Sequence, residues 1–439
     1  MSPSDIDDHD LPGMQRDTTS ITPLFALVPV LAAVALLTLG HGLQGTLLGL
    51  RGGQEGMSAG EIGFVMSAYF AGFAVGSVWS PHIIAGVGHI RAFAAFASVT
   101  SAIALAYGLH VSVPGWLGLR FLNGFCYAAM IVVVESWLNA ATPSASRGRV
   151  LATYGALMMA AWAASQPLIG LADPAGFILF AVISILVSLS LVPLTLSRGA
   201  VSPDISSNRS SISRLFAISP VGLVGGFVVG IWTSAFWGLG PTFGQMSGVS
   251  NEEVATFMAV VMLGALMAQW PIGWLSDLID RRVVIGLVTL VAALVALALA
   301  QIAPANRAAF LSLSALYGGA SITIYSVCLA HINDRIEADE VVAAASALLL
   351  FYAVGSAIGP LAIGIVMETL GPAFFFTSAS ALQLGFAAYV AWRLLIDRRQ
   401  PEAGKQAFVA MPANATSHMA TELHRHGPAE DQKFLESTS

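Results

Sequence analysis

Twelve predominantly apolar stretches, each of 20 residues or more, follow one another between residues 22 and 395. They cover 22–49, 59–85, 91–110, 114–141, 149–171, 175–197, 217–245, 251–276, 283–303, 308–332, 341–368 and 372–395. Crossing the hydrocarbon core of a bilayer as a helix takes roughly 20 such residues. Charge points the same way. Of the 439 residues, 56% are hydrophobic and 10% charged, against about 25% charged in an average soluble domain. In water such a chain would present an apolar exterior. The expected fold is an all-α membrane protein with twelve transmembrane helices.

The Ser-rich polar stretch at 198–216 divides the segments six and six. This gives an N-terminal tail at 1–21, a six-helix bundle at 22–197, a linker at 198–216, a second bundle at 217–395, and a tail at 396–439. The last is polar, carries Pro401, Pro412 and Pro428, and reads as disordered. The acidic start lacks a basic region before Arg16, so the first apolar run reads as a membrane span rather than a secretory signal.

Lys and Arg set the expected orientation. With both termini cytoplasmic, sixteen of the 19 basic residues fall on inner segments, Arg51 and Arg307 on outer ones, and Arg120 inside a span. A bacterial inner membrane is the expected location. The net charge of −6 comes largely from the tails, which argues against nucleic-acid binding. Cys126 and Cys328 lie in apolar runs and read as small buried side chains. No metal-spaced His or Cys cluster, P-loop or nucleophile elbow is present, so neither cofactor, metal nor enzymatic chemistry is expected.

The halves echo each other. Gln166-Pro167 near the end of the fifth segment is matched by Gly359-Pro360 in the eleventh, and Gly76 and Pro81 in the second by Gly264 and Pro271 in the eighth. Gly72 and Gly76, and Gly222, Gly226 and Gly230, recur one turn apart, as helices that pack closely in lipid require. Six-span repeats point to a transporter with its site at the midplane between them.

Two motifs carry a family resemblance. Gly273-Trp-Leu-Ser-Asp277-Leu-Ile-Asp-Arg281-Arg282 resembles the cytoplasmic loop motif of the Major Facilitator Superfamily, and Leu117-Gly-Leu-Arg120-Phe-Leu-Asn-Gly124 resembles its fourth-helix motif. The runs VVVES, SRGRVLATY, AQWPIGWLSD and ALLLFYAVGSAIGP look like the YcaD-like branch, to which alphaproteobacterial riboflavin permeases look similar. The resemblance covers about residues 22–395 and implies two pseudo-symmetric six-helix bundles working by alternating access. The chain departs from the motif at Ala85, where an acid is expected, and at Asp280, where a glycine is.

Glu135 follows four β-branched residues in a span, where a charge costs roughly 2.5–3.5 kcal/mol and normally finds a partner. Three readings compete: an inner-gate bridge to Arg91, a proton-coupling site, or a bond to the start of the fifth helix near Arg147 and Arg149. The resemblance favours the gate and implies Asp277 with Arg281 or Arg282 as its counterpart in the second half.

The resemblance further implies that spans one, four, seven and ten face the path. Helical spacing then selects Thr38, His41 and Gln44; Arg120, Asn123 and Tyr127; and Tyr317, Ser321 and Tyr325, while span seven offers Trp232, Thr233, Phe236 and Trp237. The bland alternatives are interfacial anchoring for Trp237, satisfaction of a neighbouring helix for His41, and outward snorkelling for Arg120. Near mid-membrane there is neither a carboxylate for a cation nor a basic cluster for an anion. A small neutral solute is therefore expected, taken up by a monomer in the bilayer, with flat, hydroxylated riboflavin as the concrete instance. The alternative is proton-driven efflux of amphipathic drugs, with Arg120, His41 and Glu135 handling the proton.

Overall fold

The computed structural model describes residues 24–142, 144–196, 212–302, 306–336 and 341–396. The expected tails and most of the linker lie outside them. Thirteen α-helices and no strand occur among the described residues. They are α1 (Leu24–Gln54), α2 (Ala59–Val87), α3 (His89–Leu109), α4 (Val113–Ala141), α5 (Ser144–Ser165), α6 (Ile178–Leu196), α7 (Ile212–Ile218), α8 (Pro220–Met246), α9 (Asn251–Leu278), α10 (Arg281–Gln301), α11 (Arg307–Asn333), α12 (Val341–Leu370) and α13 (Phe374–Ile396).

Each predicted segment coincides with one long helix, and α7 is a single added piece of 7 residues. Eleven of the long helices are apolar and long enough to cross a membrane. The remaining one, α5, has 22 residues and packs on α1 and α9. Helices are the expected solution, because inside lipid the backbone must satisfy its own hydrogen bonds. The fold is a multi-pass membrane bundle.

Local signals place the ends. Ser58 and Ser250 form capping boxes with Glu61 and Glu253 at the starts of α2 and α9, each satisfying two otherwise orphaned N–H groups. Gly88, at φ 87°, makes the sharp step from α2 to α3. Proline explains one asymmetry. At Gln166-Pro167 the α-helix gives way to a 3-10 turn over Gln166–Leu171, since Pro167 lacks an N–H. Pro360 instead lies inside an unbroken α12.

Within each half, glycines bring backbones together. A Cβ at Gly72 would meet the Phe121 carbonyl of α4, and one at Gly124 the Tyr69 carbonyl of α2. The second half repeats this, with Gly264 against the Ala315 carbonyl and Gly318 against that of Val261. The α2–α4 and α9–α11 pairs are thus spaced by main chain, which no larger residue allows.

Between halves, hydrogen bonds gather at the end opposite the termini, called here the distal end. Glu368 of α12 accepts from Ser58 Oγ at 2.9 Å and from the Gly60 N–H at 3.1 Å. The Leu361 N–H donates to Ser67 Oγ at 3.1 Å, and Gln245 Nε2 to the Leu50 carbonyl at 3.3 Å. Glu368 thereby meets the N-terminus of α2, where backbone N–H groups favour a carboxylate. The distal end is packed shut.

Candidate functional site

Between the halves lies a cavity of about 100 Å³. One wall is formed by α2, whose Tyr69, Phe70 and Phe73 face it. Trp162 of α5, Trp237 of α8 and Tyr352 of α12 add further rings. Met66, Met158, Met159 and Met262 fill the spaces between, as flexible thioethers do at adaptable surfaces. Apart from the tyrosine hydroxyls and indole N–H groups, the polar side chains are few: His41, Arg120 and Thr233. Among the described residues no carboxylate lines the cavity.

Near the middle of α1, His41 lies parallel to the ring of Tyr127, at 4.0 Å and 21°, and edge-on to Trp162 at 5.6 Å. Gly42 lets α1 approach Ser165 of α5 within the first half. Seven residues into α4, Arg120 is 4% exposed. Its guanidinium carbon stands 5.0 Å from the centre of the Tyr69 ring, and Nη2 points at the Met66 sulfur at 2.8 Å. It turns inward rather than snorkelling to the surface. Trp162 and Trp237 meet from opposite halves at 4.3 Å.

The residues selected from sequence separate into three groups. His41, Arg120 and Trp237 stand on the cavity wall. Thr38, Gln44, Asn123 and Tyr127 are buried behind it on α1 and α4, with Tyr127 buttressing His41. Trp232 and Tyr317 lie instead inside the second half, edge-to-face at 5.2 Å and packed on Phe375 and Phe376. Gln383 donates to the Tyr317 hydroxyl, and Ser321 to the Tyr317 carbonyl. Tyr325 packs edge-on to Tyr352 at 5.3 Å, and Tyr352 is the ring that reaches the cavity.

On α11 the cavity residue is Ile322, one step from Ser321 and therefore turned about 100° from the polar stripe. The Tyr317 and Ser321 hydroxyls of that stripe are bonded within the second half. The wall residues of α2, α5, α9 and α12 were not selected. Aromatics and methionines there look like lipid-facing ones, and only the cluster Tyr69-Phe70-Phe73 beside Gly72 hinted at a packed face.

The charged clusters differ from expectation. Glu135 is fully buried and receives a long hydrogen bond of 3.4 Å from the Tyr154 hydroxyl of α5. Arg91 is exposed at the start of α3 and makes no ion pair with it among the described residues. In this conformation Glu135 is tied to α5, not to Arg91. Arg147 has no described side chain, and Arg149 is exposed. In the second half Arg281 pairs with Asp277 at 3.1 Å, as expected, and with Asp334 at 2.6 Å, which sequence spacing did not suggest. Arg282 pairs with Asp280 at 2.7 Å rather than with Asp277. The aspartate in the glycine position of the motif thus serves as its partner.

Comparison with known proteins agrees with this architecture. The family model described as Major Facilitator Superfamily matches residues 24–248 and 222–428. Two Escherichia coli relatives, from strains 536 and K12 DH10B, carry the name uncharacterized MFS-type transporter YcaD. Each is 30% identical over 349 residues, covering 79% of this chain and 90% of its own. Among solved structures, the nucleoside transporter NupG superposes with a TM-score of 0.69 at 12% identity, over 85% of this chain and 100% of its own. A bacterial homologue of the human lysosomal transporter Spinster, inward-facing and occupied, gives 0.65 at 14% identity, over 86% and 98%.

Proposed function

The chain belongs to the Major Facilitator Superfamily, and on that premise we propose that it is a secondary transporter moving a small, flat organic solute by alternating access. The observation that carries this reading is the cavity shared by both halves, walled by rings and closed at the distal end. Stacking on ring faces suits a planar solute, and the scarcity of polar groups leaves orientation to His41, Arg120 and Thr233. The absence of a carboxylate from the wall disfavours a cation.

The Lys and Arg distribution supports cytoplasmic termini in a bacterial inner membrane, so the closed distal end faces outward. Solute would then exchange with the cytoplasm in the conformation described. Riboflavin remains the concrete uptake instance to test. A cavity of about 100 Å³ is smaller than the ~150 Å³ that accepts benzene, so a tricyclic ring requires the wall to widen.

Proteoliposomes loaded with the full-length protein test the reading directly. Counterflow of labelled flat solutes, riboflavin among them, is expected for at least one class and should fall when Trp237→Ala removes a wall ring. Absence of counterflow across such a panel would overturn the assignment. Sensitivity of concentrative uptake to a protonophore separates driven transport from downhill passage.

A further inference from the structure

Arg120 brings a positive charge to the cavity, with no carboxylate paired to it among the described residues. At 4% exposure it is withdrawn from solvent, and among the described residues its Nε and Nη1 make no hydrogen bond of good geometry, the neutral Tyr107 hydroxyl interacting with the guanidinium at longer range. The groups nearest it are Met66, Tyr69, Tyr107 and His41, none of which carries negative charge. Among the described residues no carboxylate reaches the cavity wall and no ion pair includes Arg120. The face of one ring offsets only part of the cost of burying a guanidinium.

Resting on the reading of this cavity as the transport site, we propose that the solute is a small aromatic monoanion whose carboxylate pairs with Arg120. Charge-assisted hydrogen bonds to an oxyanion are the strongest that a guanidinium makes. They would satisfy the donors left open here. A single buried arginine on the wall matches a single negative charge. A phosphate dianion calls for a second cation, and the wall supplies none besides His41. The ring of the solute has Tyr69, Trp162, Trp237 and Tyr352 to stack on. The space of about 100 Å³ is below the ~150 Å³ that accepts benzene, so a single substituted ring already requires the wall to widen, and a larger one more so. The neutral solute expected from the sequence rested on the lack of a basic cluster, but one desolvated arginine is enough for one charge.

The test uses matched pairs that differ only in charge: benzoate with benzamide, nicotinate with nicotinamide, and indole-3-acetate with its amide. In full-length protein with Cys126 and Cys328 replaced, Ile322→Cys places a thiol on the wall opposite Arg120. Labelling by an impermeant maleimide is followed in right-side-out and inside-out vesicles, with each probe present. Acids are expected to protect the thiol at concentrations about tenfold or more below their amides. Arg120→Gln should erase that preference, and Arg120→Lys should keep part of it.

Equal protection by acid and amide in the wild-type background, protection by neither, or an acid preference that survives in Arg120→Gln overturns the anion assignment while leaving the cavity reading intact. A thiol at 322 that labels from neither side overturns the cavity reading itself, and the anion assignment with it. Preserved labelling in Arg120→Gln shows that this variant is folded.

Discussion

The indoles of Trp162 in α5 and Trp237 in α8 meet with ring centroids 4.3 Å apart and planes inclined at 60°. One ring comes from each half, so the contact lasts only while the halves stand as they do here. Aromatic pairs contribute about 0.5–1.5 kcal/mol beyond the area they bury. Trp162→Ala and Trp237→Ala are each expected to raise the distal accessibility of a cavity cysteine about two- to tenfold. The double variant should add little, because one contact is lost in all three. Additive effects, read by maleimide labelling from the distal side, would mean that the two rings act independently.

Glu368 offers a second handle on the same equilibrium. Its Oε2 accepts from Ser58 Oγ and the Gly60 N–H across the halves, at a site open to solvent. Glu368→Ala should favour distal opening by about two- to tenfold, since an exposed hydrogen bond contributes roughly 0.5–1.5 kcal/mol. High salt should shrink the difference. If distal labelling is unchanged, the clasp contributes nothing to closure.

For Glu135 the structure separates two partners that sequence spacing could not. Arg91 is exposed and makes no bridge to it here, whereas Tyr154 bonds to it at 3.4 Å. An inner bridge would be open in this distally closed conformation, so Arg91→Gln tests the opposite one, and a transport rate within about twofold of wild type would exclude the bridge there as well. Tyr154→Phe should reproduce part of the loss caused by Glu135→Gln, by about 0.5–1.5 kcal/mol. A severe defect in Arg91→Gln alone would restore the inner-gate bridge, as a contact of the opposite conformation.

Asp334 and Asp277 share Arg281 but should differ in weight. Arg281 and Asp334 are 1% and 5% exposed, and Asp277 is 37% exposed. Removing one member of a buried pair typically costs about 3–5 kcal/mol, while an exposed pair contributes about 0–1 kcal/mol. Asp334→Asn should lower the unfolding temperature of the detergent-purified protein far more than Asp277→Asn. The reverse order would place the principal bond of Arg281 at the surface.

The reach of the sequence follows from these residues. The spans were legible because length and apolarity are one-dimensional properties, and the glycines at 72 and 76 announced a close approach by spacing alone. The cavity was harder to see. The stripes of α1, α4, α8 and α11 include His41 and Arg120 of the cavity wall, but also Trp232 and Tyr317, which belong to the core of the second half. A polar stripe marks a face that must be satisfied. It does not say whether solute or a neighbouring helix does so. In a chain that is 56% hydrophobic, the rings of α2 and the methionines of α5 and α9 look no different from residues that meet lipid. Asp334 escaped notice because 53 residues separate it from Arg281, and only the fold brings them together.

The glycine contacts of α2 and α4 bear on how a chain of this kind could change its cargo. Tyr69 and Arg120 belong to helices whose separation is set by main chain against main chain, so substitutions at neighbouring side chains leave their spacing alone. Elsewhere on the cavity wall stand Met158, Met159 and Met262, unbranched side chains that exchange for others of similar volume at small cost. Drift in selectivity thus has an easy path on one side and a barrier on the other. Lineages that diverge in what they carry are expected to keep the charged, ring-bearing wall as an heirloom and to experiment on the thioether wall.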